Sequence, residues 1–203
     1  MARLVVFLLF LTHFPHGVAM EGPVLRQVLD TARGRAWTLA PDGVHVHSLP
    51  ERRKIAHLKL PGWIVAGELY GCTPDLALNE WGDAVVTSDI VPVVWKVHAG
   101  SFAVSRHELV LDRDTDREVG FAAIAWSPRH RTFLAVSFHH GTLWRIDPLL
   151  RRAQKVALSS PLPGACQLAL RGTKLCVYTP QEWTVHLAPD LRSAHAARKA
   201  CVD

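Results

Sequence analysis

Four side chains that can bind a divalent cation lie in short polar breaks between apolar runs of the chain. They are Asp42, Asp89, His139 and Glu182. Carboxylate oxygens and imidazole nitrogens are ligands that Ca²⁺, Mn²⁺ and Zn²⁺ accept in proteins. An Asp in such a break also forms turns through its own side chain. The residue types therefore predict a metal site only if the fold brings the four breaks together.

A second set of aromatic and acidic residues lies in the longer segments that connect groups of apolar runs. These residues are Trp63, Tyr70, Asp114 and Asp116. A surface of this composition can hold a sugar, a cationic ligand or a peptide. We therefore expect these four residues to bind a ligand.

Two histidines are weaker metal-binding candidates, and one further tryptophan is, like Trp63, a candidate for ligand binding. His45 and His47 are two residues apart, so their side chains share a face if that run is a strand. Imidazoles at this spacing can share a metal ion, and the exposed face of a strand explains them equally well. Trp81 lies in a turn and is a candidate for binding.

Several kinds of chemistry find no support in the chain. It contains no Gly-x-Ser-x-Gly turn, no His-Glu-x-x-His motif and no Gly-x-Gly-x-x-Gly loop. The net charge of +5 is modest, and no run of Lys or Arg with interleaved aromatic residues indicates a nucleic-acid groove. We expect no cofactor beyond the divalent metal considered above, and no nucleic-acid partner.

The elements that must position these residues are short apolar runs separated by turns. Thirteen Gly and thirteen Pro, spread over the whole length, favour many short strands over a helical bundle. The runs fall into four passes of four, and the centres of the third runs are 49, 49 and 41 residues apart. Such a period is typical of a β-propeller blade. The four central residues are Val46, Trp95, Trp144 and Val185.

The segment 121–148 carries the clearest pattern, three short strands joined by two turns. Trp126-Ser127-Pro128, Gly141-Thr142-Leu143-Trp144 and Asp147 match the turn and strand positions of a propeller blade. In these residues the segment resembles the WD-repeat and YVTN-like propeller superfamily. The blades lack the opening Gly-His pair and the closing Trp-Asp pair, so the resemblance does not imply the hydrogen-bond network of true WD repeats.

These observations predict an all-β protein, a small β-propeller of about four four-stranded antiparallel blades. A partial propeller completed by dimerisation and another β-fold, such as a sandwich or barrel, are the open alternatives. The propeller domain is expected at 20–203, with blades at about 22–60, 73–112, 119–159 and 165–201.

Propeller geometry would bring the candidate ligands together. Loops that join second to third strands, and loops that join one blade to the next, lie on the same face of a propeller. The four predicted metal ligands and the four predicted ligand-binding residues would then surround the mouth of the central channel. An acidic and aromatic mouth is the site that we expect.

The N-terminus predicts export. A short basic start is followed by the apolar run LVVFLLFL and by Gly17-Val18-Ala19, a pattern typical of a cleaved signal peptide over residues 1–19. No other segment is long and apolar enough to span a bilayer. We expect a secreted or periplasmic protein without a transmembrane segment after the signal.

Four cysteines follow the leader, and an even number in an exported chain favours disulfides. Cys166 and Cys176 flank a tight turn, so we expect them to pair, which leaves Cys72 to pair with Cys201. Four buried thiols are the alternative.

The function expected from the sequence is that of an exported, non-enzymatic binding module. Its loops on one face would bind a protein, a peptide or a glycan. The alternative is a metal-dependent hydrolase or lactonase of the propeller type, with the metal at the channel mouth.

Overall fold

The structure is a computed structural model that describes residues 23–66, 71–112, 120–179, 182–199 and 201. The expected leader at 1–19 and the candidate ligand-binding residues Tyr70, Asp114 and Asp116 lie outside the described residues. Among the described residues, no helix has the length and apolar character that crossing a membrane requires.

The first sheet is an antiparallel meander in which each strand pairs with the next. Gly43 opens its third strand at a point of close approach, where a Cβ atom would lie 2.2 Å from the backbone oxygen of Leu58. Only glycine fits there, because that oxygen belongs to the backbone of the neighbouring strand. The strands are β1 (Arg26–Asp30), β2 (Arg35–Ala40), β3 (Gly43–Ser48) and β4 (Lys54–Leu58).

The second sheet repeats the meander with one difference from the sequence prediction. The apolar residues of the sequence ELVLD predict its fourth strand at 108–112, but the strand runs from Val104 to Glu108, and Val110–Leu111 forms a separate short strand, β9. Hydrogen bonds within 98–103 turn the chain back early, and the outer strand then carries polar residues that give no apolar pattern. The sheet consists of β5 (Leu76–Leu78), β6 (Ala84–Thr87), β7 (Val93–Val97) and β8 (Val104–Glu108).

The third and fourth sheets are meanders joined at their outer edges. β13 and β17 pair in parallel at Ala157 with Ser193 and at Leu158 with Ala194. The sequence of the segment 191–201 is rich in Ala, Arg and His and does not distinguish a strand from a short helix; the structure places a strand there. The third sheet is β10 (Ala123–Ser127), β11 (Thr132–Val136), β12 (Leu143–Ile146) and β13 (Arg152–Leu158); the fourth is β14 (Gln167–Arg171), β15 (Lys174–Tyr178), β16 (Trp183–Leu187) and β17 (Ser193–Ala197).

The four sheets stack in chain order, because their first strands contact one another in the series β1, β5, β10, β14. An apolar cluster fills each of the three spaces between neighbouring sheets. The described residues thus form an all-β protein of two four-stranded antiparallel sheets and one nine-stranded sheet, in which β13 joins the third and fourth meanders and also pairs with β9. The residues that the repeat placed at the centres of the third strands, Val46, Trp95, Trp144 and Val185, are all buried in these spaces.

The face of the first sheet that turns away from the second sheet is polar. Cross-strand partners share a face, and the register Gln27–Thr38–His45–His57 places four polar side chains in one row across it. The opposite face, with Trp37 and Val46, packs against the second sheet. A polar outer face is typical of the terminal unit in a stack of repeats.

The expected disulfide connectivity was wrong. Cys72 pairs with Cys166, and Cys176 pairs with Cys201. In the antiparallel register of β14 and β15, Cys176 faces Ala169, three residues away from Cys166. The tight turn therefore sets the two cysteines out of register, and Cys166 instead meets Cys72 at the start of the second sheet.

Candidate functional site

The predicted metal ligands do not share one position among the described residues. Asp42 lies in the turn between β2 and β3, Asp89 in the loop after β6, His139 in the loop after β11, and Glu182 just before β16. Asp42 contacts His45 and His57, and in the described part of the chain this is the one group of three whose ligand atoms lie within 4.8 Å of one another. Asp89, His139 and Glu182 lie outside that group.

Trp63 is the predicted ligand-binding residue that the structure describes. Its indole N–H donates a hydrogen bond to the backbone oxygen of Thr87 at 3.1 Å, and its ring packs against the apolar cluster between the first two sheets. The side chain is half-buried. Trp63 therefore secures the connection between two sheets.

Asp89 is a buried carboxylate. Neither of its oxygens has a hydrogen-bond partner among the described residues, and burial raises the pKa of Asp89 above its ordinary range. The backbone of Gly120 passes so close that a Cβ atom there would lie 2.0 Å from the Asp89 carbonyl group. This contact holds the loop after β6 against the start of the third sheet.

A basic pocket lies at the other end of the sheets, where turns join first to second strands and third to fourth strands. It has a volume of about 540 Å³ and occupies the wedge between the outer strands of the third sheet and the turn between β16 and β17. We call it the arginine pocket. Its lining includes Arg131, Arg145, Arg151, Arg152, Asp147 and Leu191.

The acidic residue of the arginine pocket is already engaged with the backbone. Asp147 directly follows β12, and its carboxylate accepts hydrogen bonds from the backbone N–H groups of Leu149, Arg151 and Arg152. These bonds fold the turn that carries both arginines. The carboxylate thus shapes the pocket, and its single negative charge leaves an excess of positive charge among the four guanidinium groups of the lining.

The four arginines differ in how they are held. Arg145 donates to the backbone oxygen of Asp190 at 3.2 Å, and Arg131 contacts Glu80 at 3.3 Å. Arg151 and Arg152 are exposed and have no acidic side-chain partner among the described residues. Guanidinium groups present a planar set of N–H donors that matches carboxylate, sulfate and phosphate groups. The two unpaired arginines give the pocket its capacity for an anion.

An exposed tryptophan lies beside the pocket. Trp81, in the turn between β5 and β6, is 48% exposed. The guanidinium carbon of Arg131 lies 5.6 Å from the centre of its ring, within the range of a cation–π contact. Arg131 therefore links the arginine pocket to an aromatic surface on the neighbouring sheet.

His130 adds a neutral polar group to the pocket wall. Its Nδ1 atom lies 2.8 Å from the hydroxyl oxygen of Ser127, and its Nε2 atom is buried with no hydrogen-bond partner in the described part of the chain. Burial, together with the charge of Arg129, lowers the pKa of His130 below its ordinary value. The ring is therefore largely neutral at pH 7.

The sequence predicted a binding site at the end that carries the second-to-third loops, whereas the arginine pocket lies at the opposite end. The one available signal was the adjacent pair Arg151-Arg152. The sequence alone does not distinguish it from Arg52-Arg53, because both pairs lie in polar breaks between apolar runs. Only the packing of the third sheet against the fourth assembles a pocket around Arg151 and Arg152.

No protein-family model matches the chain, and no curated protein matches its sequence. Solved structures match its fold. The major allergen Mala s 1 of Malassezia sympodialis has a TM-score of 0.59 at 14% identity, over 82% of this chain and 60% of the allergen. An auxiliary nutrient binding protein of Bacteroides thetaiotaomicron has a TM-score of 0.61 at 8% identity, over 90% of this chain and 44% of that protein.

A third similar structure is a catalytically inactive virginiamycin B lyase of Staphylococcus aureus in complex with Quinupristin. Its TM-score is 0.55 at 13% identity, over 74% of this chain and 48% of the lyase. The matched structures thus include propeller-like proteins. The chain spans less than two thirds of these three proteins, and at such identities the likeness concerns the fold alone.

Proposed function

We propose that the chain is an exported binding module that holds an acidic glycan in the arginine pocket. The observation that carries the proposal is the pair Arg151 and Arg152, which have no acidic side-chain partner among the described residues and lie on the wall of a cavity of about 540 Å³. The one carboxylate on that wall, Asp147, is engaged by backbone N–H groups.

The scaffold of this module is an array of four β-propeller blades. The inner strands contact one another in chain order, and apolar clusters fill the three spaces between the sheets, as the blades of a propeller require. The similarity to propeller-like proteins supports the same architecture. Two disulfides and the leader-like start of the chain support export.

An acidic glycan fits the site better than an acidic peptide. Arg131 lies between the pocket and the exposed ring of Trp81. A sugar can stack on an aromatic ring while its carboxylate or sulfate groups bind the neighbouring guanidinium groups. The pocket and the ring together thus match a ligand that carries both an apolar face and negative charge.

The test is calorimetric titration with a heparin octasaccharide, an oligogalacturonate and a hexaglutamate peptide. We expect the two glycans to bind, with affinity that decreases as salt is added, because the contacts are electrostatic. Replacement of both Arg151 and Arg152 by Gln should weaken glycan binding at least about tenfold, since charge-assisted bonds to anions contribute roughly 1.5–3 kcal/mol each.

The matched control is the double replacement of Arg52 and Arg53 by Gln. These residues are also adjacent, exposed and in a turn, and their replacement removes the same charge. If both double variants lose binding equally, the protein attracts polyanions through its net charge, and the pocket proposal fails. Trp81→Ala should weaken binding of the glycans but not of hexaglutamate, and the reverse result would favour a peptide ligand.

The metal-dependent hydrolase that the sequence left as an alternative stays a prediction. Its proposed ligands were Asp42, Asp89, His139 and Glu182. The test is to purify the chain in the presence of Ca²⁺, Mn²⁺ and Zn²⁺. The protein is then examined by elemental analysis and assayed on ester and lactone substrates. Turnover that disappears when Asp89 or Glu182 is replaced would support that alternative over a binding module.

A further inference from the structure

We propose that Asp42, His45 and His57 form a Zn²⁺ site on the polar outer face of the first sheet. This site is separate from the arginine pocket and does not depend on the proposed glycan-binding function.

The backbone places the three side chains together. His45 on β3 and His57 on β4 are directly opposite in the antiparallel register, where Cβ atoms lie about 4.5–5.5 Å apart. Asp42 is in the turn that leads into β3, three residues before His45. A turn and a cross-strand pair therefore bring one carboxylate and two imidazoles to the same corner of the sheet.

The ligand atoms converge on the carboxylate. Nε2 of His45 lies 2.8 Å from one oxygen of Asp42, and Nε2 of His57 lies 3.2 Å from the other. The two imidazole rings stack with their centres 4.3 Å apart and their planes 10° from parallel. Both rings thus present the same nitrogen to the same side.

The spacing fits a small tetrahedral ion. All three ligand atoms lie within 4.8 Å of one another. A zinc ion with bonds of about 2.0–2.1 Å separates its tetrahedral ligands by roughly 3.3 Å, so rotation of side chains is enough to close the site. Two imidazoles and one carboxylate suit Zn²⁺ better than Ca²⁺ or Mg²⁺, because Ca²⁺ and Mg²⁺ bind almost entirely through oxygen ligands.

The exposure of the cluster also fits a metal. The side chain of Asp42 is 47% exposed and that of His45 is 12% exposed. The site is thus anchored at the sheet and open to solvent, which leaves the fourth coordination position to water.

The test is titration of the purified chain, without a histidine tag, with Zn²⁺ in the presence of a chromogenic chelator. We expect one Zn²⁺ per chain, and NMR should show the ring resonances of His45 and His57 shifting together. Replacement of His57 by Gln, or of Asp42 by Asn, should weaken Zn²⁺ binding by at least about tenfold. Loss of a residue that only supports a metal ligand already weakens binding by about 10–100-fold, and loss of a ligand should cost at least as much.

The control uses a second cross-strand histidine pair, His186 and His195 on β16 and β17. Both residues are exposed, and they belong to no group of three ligands in the described chain. His195→Gln should leave Zn²⁺ binding unchanged. The proposal is overturned if the wild-type chain binds no Zn²⁺ at tens of micromolar, if the His57 variant binds it normally, or if the resonances of His45 and His57 do not move.

Discussion

Arg26 at the start of the first sheet forms an ion pair with Asp75 at the start of the second sheet, with 3.1 Å between Nε and the carboxylate. The Nε–H is not aligned for a hydrogen bond, so the interaction is mainly electrostatic. Asp75 also accepts hydrogen bonds from the backbone N–H groups of Leu76 and, across to the third sheet, Ile124. One buried carboxylate thereby joins the inner strands of three sheets.

Asp75 should make the stability of the protein depend on pH. Burial raises the pKa of Asp75 to about 6, although Arg26 and two backbone N–H groups oppose the rise. Because the folded pKa exceeds the unfolded value, this contribution to stability is complete below about pH 4 and is lost as the pH rises through about 6. The loss is about 3 kcal/mol, on the basis of 1.36 kcal/mol per pKa unit.

The measurement is urea unfolding between pH 4 and pH 7 for the wild-type chain and for Asp75→Asn. Asn does not titrate, so the difference in free energy of unfolding between the two proteins should shift in favour of the variant as the pH rises. Asp42 and Asp83, whose pKa values are lowered, titrate in both proteins, so their contributions cancel in the difference between the two free energies of unfolding. A difference that stays constant over this range would contradict the prediction.

Loss of Arg26 should destabilise the protein only where Asp75 is charged. Arg26→Gln removes the opposite charge from a carboxylate that is 4% exposed. We expect a loss of roughly 2 kcal/mol at pH 7.5, in the range for interactions with charged groups, and a much smaller loss at pH 4.5. Equal losses at both values would mean that Arg26 acts through packing. Arg106→Gln, which removes an exposed pair with Glu108, is the control.

Gly120→Ala should disrupt the contact between the loop after β6 and the third sheet. The new methyl group would lie 2.0 Å from the backbone of Asp89, and the backbone cannot yield as a flexible side chain does. We expect a loss of about 1–3 kcal/mol in the free energy of unfolding. Gly100→Ala is the matched control, because its methyl group would approach only a His98 side chain, at 3.4 Å. A stable Gly120 variant would contradict the described contact.

The two disulfides should differ in their contribution to stability. Cys72–Cys166 closes a loop with a sequence separation of 94, and Cys176–Cys201 closes one of 25. The chain-entropy relation gives about 4.7 kcal/mol for the longer loop and about 3.5 kcal/mol for the shorter one. Thermal unfolding of the two double Ala variants should therefore show the larger decrease for Cys72 and Cys166. The opposite order would show that local packing around the buried Cys176 outweighs loop entropy.

The sequence by itself determined the class of fold and the repeat. Alternating apolar runs and turn residues indicate short strands, because side chains alternate between the faces of a strand. The spacing of Val46, Trp95, Trp144 and Val185 placed four buried residues on four equivalent strands. These signals are local or periodic, so they do not require knowledge of which distant segments meet.

The tertiary structure decided the pairings between distant residues. Local spacing favoured Cys166 with Cys176, and only the register of β14 against β15 shows that they miss each other by three residues. In the same way, Asp42 meets His57 because β4 returns beside β3, and Arg151 lines a pocket because the third sheet packs against the fourth. Sites depend on contacts across the sheets, and the order of residues along one chain does not specify them.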